Sequence, residues 1–184
     1  KPWRTPQFLQ DRPLTGREKG SATHLFMQFV RYESCTTREG IRQELVRMQA
    51  EKFLTPRQAE AVDAEKILAL FSSELGNRIL HADSLRREFK FSILADAAAY
   101  DPAAVGEQVM LQGVVDCFWQ EPDGIVILDF KTDYIHGDLQ QKAARYAPQL
   151  RAYAQALSRI YQCPVKKTVL YFFSAGREVE IDPE

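Results

Sequence analysis

The order of apolar patterns along the chain predicts an α/β fold, in which a helical N-terminal half leads into a central mixed sheet flanked by helices. Three observations predict it. Apolar residues recur at helical spacing as far as His81, the period switches to two from Arg87, and a helical stripe over 146–160 separates the strand meander from a further apolar run, TVLYFF.

The first helix is placed from about Ser21, where Leu25, Phe26, Phe29 and Val30 form a stripe while His24, Met27, Gln28 and Arg31 share another face. A second, shorter helix carries Ile41, Leu45 and Met48. In LTPRQ, Thr55 stands as N-cap, Pro56 at the first helical position and Gln58 at the capping-box position. The helix they open has the stripe Ala61, Ala64, Leu68, Phe71 and Leu75. Beyond His81, Arg87, Phe89, Phe91 and Ile93 alternate with Glu88, Lys90 and Ser92, which is strand patterning with one face on a core. Strands continue to Thr132. A polar segment containing Gly137 follows, then a crossover helix with the stripe Tyr146, Leu150, Tyr153, Leu157 and Ile160. TVLYFF (168–173) reads as a buried strand, and Gly176 turns into a last short strand, EVEI.

With 184 residues, 45% hydrophobic and 27% charged, the chain suits a single domain over 1–184. It begins with Lys1 and carries Pro2, Pro6 and Pro13, so it is expected to be a fragment of a longer polypeptide. No apolar run approaches the roughly 20 residues of a membrane span and no leader precedes the fold, which points to a cytoplasmic protein without a membrane role. Cys35, Cys117 and Cys163 are odd in number and scattered, which rules out a disulfide framework or a four-cysteine metal site. Twenty-four Lys+Arg balance 25 Asp+Glu, so nucleic acid would need a local patch. A phosphate-binding Gly-x-x-x-x-Gly-Lys-Ser/Thr loop is absent from the sequence.

The most informative stretch is GVVDCFWQEPDGIVILDFKTD (113–133). Apolar runs over 109–120 and 125–132 flank EPDG, a turn signal, and so predict an antiparallel hairpin. With a loop over 121–124, Gln120 faces Ile125, which sets Asp116 opposite Asp129 and brings Lys131 to the same face. Opposed Cβ atoms lie roughly 4.5–5.5 Å apart, a span that two carboxylates close around Mg²⁺ or Mn²⁺. Val114, Val115, Ile127, Leu128 and Phe130 make these strands apolar on both faces, where an ionised aspartate needs a partner. A structural Asp129–Lys131 or Asp116–Lys131 ion pair is the alternative.

Asp, a spacer and Asp-x-Lys across a hairpin resemble the PD-(D/E)xK nucleases, with their restriction-endonuclease-like core. GVVD, ILDFKTD and YAPQLRAYAQAL are similar to the three motifs of the RecB-type nuclease domain, and FLQDRPLTGREKGSATHLFMQFV resembles the segment with a helical histidine that opens this domain in AddA-type helicase-nucleases. GSATH stands where a Gly-Thr pair is more usual, with Ser21 keeping a hydroxyl. The resemblance implies that His24, Asp116 and Asp129 hold a metal together with the backbone carbonyl of Phe130, that Lys131 is the catalytic lysine, and that Gln149 and Tyr153 sit beside the site. It also implies an Mg²⁺-dependent deoxyribonuclease, Mn²⁺ substituting, that acts as an exonuclease on the 3'-terminated single-stranded DNA which a helicase in the same polypeptide produces during break processing and recombinational repair. An AddB-type subunit would be the partner.

From the residues alone, His24 is a lone helical histidine, and Tyr153 also lies on a core stripe. Glu88 reads as an accessory residue or a solvent-facing one. Lys166, Lys167, Arg145 and Arg151 are candidate phosphate contacts or ordinary surface charges, and His81 and His136 have no metal-ligand spacing. Two other functions remain open: a nuclease-like domain that no longer cuts and serves DNA or subunit binding, which the intact Asp116, Asp129 and Lys131 oppose, and a stand-alone PD-(D/E)xK endonuclease, which lacks a DNA-reading domain.

Overall fold

A computed structural model describes residues 14–183; the proline-bearing start, with Pro2, Pro6, Pro13 and the FLQDRP part of the first motif, lies outside the described residues. The described residues divide into two compact units, the first ending at Glu65 and the second beginning at Lys66.

In the first unit, helix α1 (Gly16–Phe29) begins five residues before the expected Ser21, because Thr15 and Glu18 form a reciprocal capping box. Its buried face is Ala22, Phe26 and Met27, continued by Val30, while Leu25 and Phe29 are only half-buried. Met27 thus belongs to the core stripe. A 3-10 turn (Tyr32–Thr36) leads to α2 (Arg38–Ala50), which is nearly as long as α1. Ile41 and Met48 are buried as expected, but Glu44 takes the place on the inner face assigned to Leu45. Its carboxylate accepts from Arg31 N at 2.9 Å and pairs with Arg47 at 2.6 Å, and this satisfies a buried charge. Arg47 also donates to the Phe29 carbonyl, at the C-terminal end of α1.

Thr55 and Gln58 form the expected capping box of α3 (Pro56–Ala61), but the single long helix does not follow. The chain breaks at Asp63, which accepts from Glu65 N, and again at Ser73, which caps Gly76 N, so that α4 (Ala64–Phe71) and α5 (Glu74–Leu80) are separate. Short polar side chains that bond their own backbone compete with helix continuation.

The second unit holds a five-stranded mixed sheet in the order β1 (Arg86–Asp96), β2 (Gln108–Glu121), β3 (Gly124–Lys131), β4 (Val165–Phe172), β5 (Arg177–Ile181). Only β3 and β4 run parallel, joined by the crossover α6 (Leu139–Ala144) and α7 (Ala147–Tyr161). One sheet face packs on α7: Phe91, Val115, Phe118, Ile125, Ile127, Leu170 and Phe172 meet Leu150, Tyr153, Ala154 and Leu157. Ile160, assigned to that stripe, is 42% exposed at the helix end. Among the described residues, no helix is long and apolar enough to cross a membrane.

Candidate active site

The β2–β3 hairpin runs in the register the turn signal predicts, with Gln120 facing Ile125, although Glu121 and Gly124 also pair and shorten the loop to Pro122 and Asp123. The ladder continues to Cys117–Leu128 and stops one step short of Asp116 and Asp129. At that step Phe130 N donates to the Asp116 side chain, Oδ2, at 2.8 Å. On the other side of β2, pairing passes from Arg87–Cys117 to Phe89–Val115 and omits the Glu88 position, where Glu88 has φ 51°. A left-handed glutamate in a strand is strained by about 1–3 kcal/mol. Both ladders therefore lapse around Asp116, which turns its carboxylate toward β3 and leaves the strand locally irregular.

Asp129, by contrast, is fixed in the middle of the parallel β3–β4 ladder, opposite Leu170, and is only 3% exposed. Its Oδ2 lies 2.5 Å from Lys131 Nζ, yet it is a buried oxygen without a partner in hydrogen-bonding geometry. Lys131 donates to Gln149 Oε1 at 3.0 Å, and Gln149 Nε2 donates to the Tyr153 hydroxyl at 2.9 Å. Gln149 and Tyr153 come from adjacent turns of α7, one above the other on its sheet-facing side. Gly113 permits this approach: a Cβ there would sit 2.9 Å from a Tyr153 ring atom and 2.8 Å from Phe91.

Electrostatics mark the same place. Burial first, and then the neighbouring charge of Asp129, push the Asp116 carboxyl up to about 7, with Glu88 adding to the rise and Phe130 N–H and Lys131 opposing it. Burial likewise raises Glu88. Burial and the two aspartates push the Tyr153 hydroxyl up to about 12, so it remains a neutral donor or acceptor.

Half-buried Asp116, raised by the charge of its neighbour, and buried Asp129, with an oxygen lacking a directed bond, form a donor set that fits a hard divalent cation. A single ammonium compensates only part of their charge. Asp116 and Asp129 would supply the oxygens; among the described residues, no group of three or more His, Cys, Asp and Glu side chains is gathered as a metal cluster. His24 lies half-buried on α1 of the first unit.

Other sequence candidates have different surroundings. Lys166 is held by Glu121 at 2.7 Å and Asp123 at 2.5 Å, and Lys167 by Glu180 at 2.7 Å, so both are engaged in ion pairs. Arg145 and Arg151 are exposed on the α6–α7 segment. His81 faces its own helix, with Nδ1 2.8 Å from the Asn77 carbonyl. Two residues that the motif reading left without a role stand close to Lys131. The Tyr146 ring lies 4.1 Å from the Lys131 ammonium, and Asp133 accepts the Tyr146 hydroxyl. Their signal was present, since Asp133 ends DFKTD and Tyr146 opens YAPQ.

The sequence matches the profile of the PD-(D/E)XK nuclease superfamily over residues 4–183. It is 41% identical over 188 residues to the A subunit of the ATP-dependent helicase/nuclease of Bacillus cereus (strain Q1), covering 96% of this chain and 15% of that protein. It is 39% identical over 183 residues to the protein of the same name from Clostridium novyi (strain NT), again covering 96% and 15%. The chain thus spans 15% of the length of these curated relatives. The solved structure of SSO0001 aligns with a TM-score of 0.39 at 18% identity, covering 75% of this chain and 61% of that one.

Proposed function

The chain belongs to the PD-(D/E)XK nuclease superfamily, and from that premise we propose that Asp116, Asp129 and Lys131 form a divalent-metal-dependent site that hydrolyses phosphodiester bonds of single-stranded DNA. The observation that carries this reading is the meeting of the Asp116 and Asp129 carboxylates with the Lys131 ammonium at a lapse in the β2 ladders. Similarity to the A subunits of ATP-dependent helicase/nucleases supports a setting in a longer cytoplasmic AddA-type polypeptide. There a helicase portion delivers the 3'-terminated strand for exonucleolytic cleavage during double-strand break processing and recombinational repair, and the partner is of AddB type.

Asp116 and Asp129, with the Phe130 carbonyl and His24, would hold Mg²⁺ or Mn²⁺, which when bound lowers the pKa of water and stabilises charge on the scissile phosphate. The chain's own groups do the rest. Asp129, fixed in the ladder, would offer a cation its carboxylate from a rigid strand. Phe130 N–H restrains Asp116 in one rotamer, so both carboxylates are oriented before substrate arrives. Lys131 brings a positive charge to developing phosphate charge and orients the attacking water. Gln149 holds Lys131 through its amide oxygen and is itself held by Tyr153. Glu88 is an accessory carboxylate whose charge raises Asp116.

The test is incubation of the chain with end-labelled single-stranded DNA, without ATP, in Mg²⁺ or Mn²⁺ and then in excess chelator. Degradation that stops with the chelator is expected. Cleavage that survives full chelation, or an intact strand at saturating metal, would reject the reading.

A further inference from the structure

We propose that Tyr146 is a positioning residue for Lys131: its ring face holds the ammonium at the site, and Asp133, anchored by Ser174, holds the ring. This rests on the nuclease reading and deepens it.

Lys131 Nζ sits 4.1 Å from the Tyr146 ring centroid, a distance at which the ring quadrupole attracts a cation. The ring is constrained from two directions. Its hydroxyl donates to Asp133 Oδ2, and its other contacts include the Phe172 ring at 6.3 Å. Asp133 is itself tied down: its carbonyl accepts from Ser174 Oγ at 2.5 Å, its carboxylate pairs with Lys142 at 3.4 Å, and the neighbouring Lys131 carbonyl accepts from Phe173 N at 2.9 Å. The tether thus runs from the end of β4, through the turn after β3, to the residue that caps α7.

The ring's chemistry matters because Asp129 has two demands on it. It contacts Lys131 at 2.5 Å, and the same carboxylate is the proposed metal ligand. With a cation on the carboxylate, the ion pair would no longer keep Lys131 in place, and like charge would repel the ammonium. Its other direct contacts, the Gln149 amide oxygen and the Tyr146 ring, are both neutral, while Asp116 and Asp133 act on it through their charge. The two neutral contacts retain the lysine without neutralising it and without offering the cation a competing anionic ligand. A carboxylate in place of the ring would do neither.

The proposal is tested on the full chain by NMR and by steady-state cleavage. Ring-current shielding should move the Lys131 Hε signals upfield, and Tyr146→Leu should abolish that shift. With single-stranded DNA and Mg²⁺, Tyr146→Leu should lower kcat about tenfold or more with little change in KM or in half-saturating metal, as expected for a cation–π contact in a desolvated site. Tyr146→Phe, which keeps the ring, should recover kcat to within a few-fold. In a Lys131→Ala background, Tyr146→Leu should cost nothing further, because the two act as a unit. An unshifted Lys131 signal in an active wild-type chain, or an equal loss with and without Lys131, would overturn the role. Failure of the unaltered chain to cut DNA would instead remove the nuclease reading, and this role with it.

Discussion

Replacing Asp116 by asparagine should abolish cleavage and yet stabilise the metal-free protein at alkaline pH. The Asp116 carboxyl is raised from 3.8 to about 7, mainly by burial and then by the charge of Asp129. A carboxyl raised in the folded state contributes stability that is fully present below the unfolded value, near pH 4, and is lost as pH climbs through about 7. Three units correspond to roughly 4 kcal/mol of folding energy forfeited when the buried group ionises. The asparagine amide would keep an oxygen to accept from Phe130 N–H but would bring an NH₂ group that needs a partner, returning about 1 kcal/mol of that gain. A net gain of about 3 kcal/mol remains, which for a chain of this size raises the melting midpoint by roughly 6–12 °C. Thermal unfolding of Asp116→Asn and wild type, both in chelator, should show this gain at about pH 8, whereas at about pH 4 only the amide cost remains and the variant should be less stable by about 1 kcal/mol. A difference of the same size at both pH values, or destabilisation at the higher one, would refute the electrostatic reasoning. Saturating Mg²⁺ should narrow the gap at about pH 8 by stabilising only the wild type.

Three further outcomes are expected. His24→Ala should raise the metal concentration for half-maximal cleavage, since the family resemblance assigns it as a ligand; an unchanged metal titration would remove it from the site. Gly113→Ala should destabilise the fold by about 1–3 kcal/mol, because the added methyl meets the Phe91 and Tyr153 rings below 3 Å, and urea unfolding measures the cost. The same variant should lower kcat by moving Tyr153 and with it the Gln149 that holds Lys131, and a wild-type kcat would show that the α7 contact does not position the lysine.

The hairpin was legible because two apolar runs flank the EPDG turn and the turn's length fixes one register, which the structure adopts from Glu121–Gly124 to Cys117–Leu128. What lies one step further was not legible. Nothing in a period-two pattern states that Glu88 adopts a left-handed conformation, or that Asp116 leaves the ladder to accept from Phe130 N–H. Such irregularities are set by tertiary contacts around a site. The helical half shows a different limit. Apolar spacing located Ile41 and Met48 on the buried face of α2, and Phe71 and Leu75 further on, but it placed Ala61, Ala64 and Leu68 on a core stripe where Ala59, Val62, Ile67 and Leu70 are the buried residues, and it missed the start of α1, where Thr15 and Glu18 cap a polar first turn that carries no stripe. It also joined α3, α4 and α5, since a stripe can continue in register across Asp63 and Ser73 while the backbone does not. Tyr146 illustrates how one pattern hides another: its stripe position suggested core packing, which it makes against the sheet core, but gave no sign that at the N-cap of α7 its ring also meets Lys131.

The most direct measurement of the central claim is metal calorimetry paired with the cleavage assay on Asp129→Ala and Lys131→Ala, both checked by circular dichroism for intact folding. Asp129→Ala should lose metal binding and cleavage together, because a cation cannot easily replace a charged oxygen from a fixed strand. Lys131→Ala should bind metal as tightly as wild type or more so, since the ammonium 2.5 Å from Asp129 competes for the same carboxylate, while cleavage falls by roughly 10² or more. Cleavage by Lys131→Ala at the wild-type rate, with metal binding unaffected by Asp129→Ala, would instead make the two residues a structural ion pair.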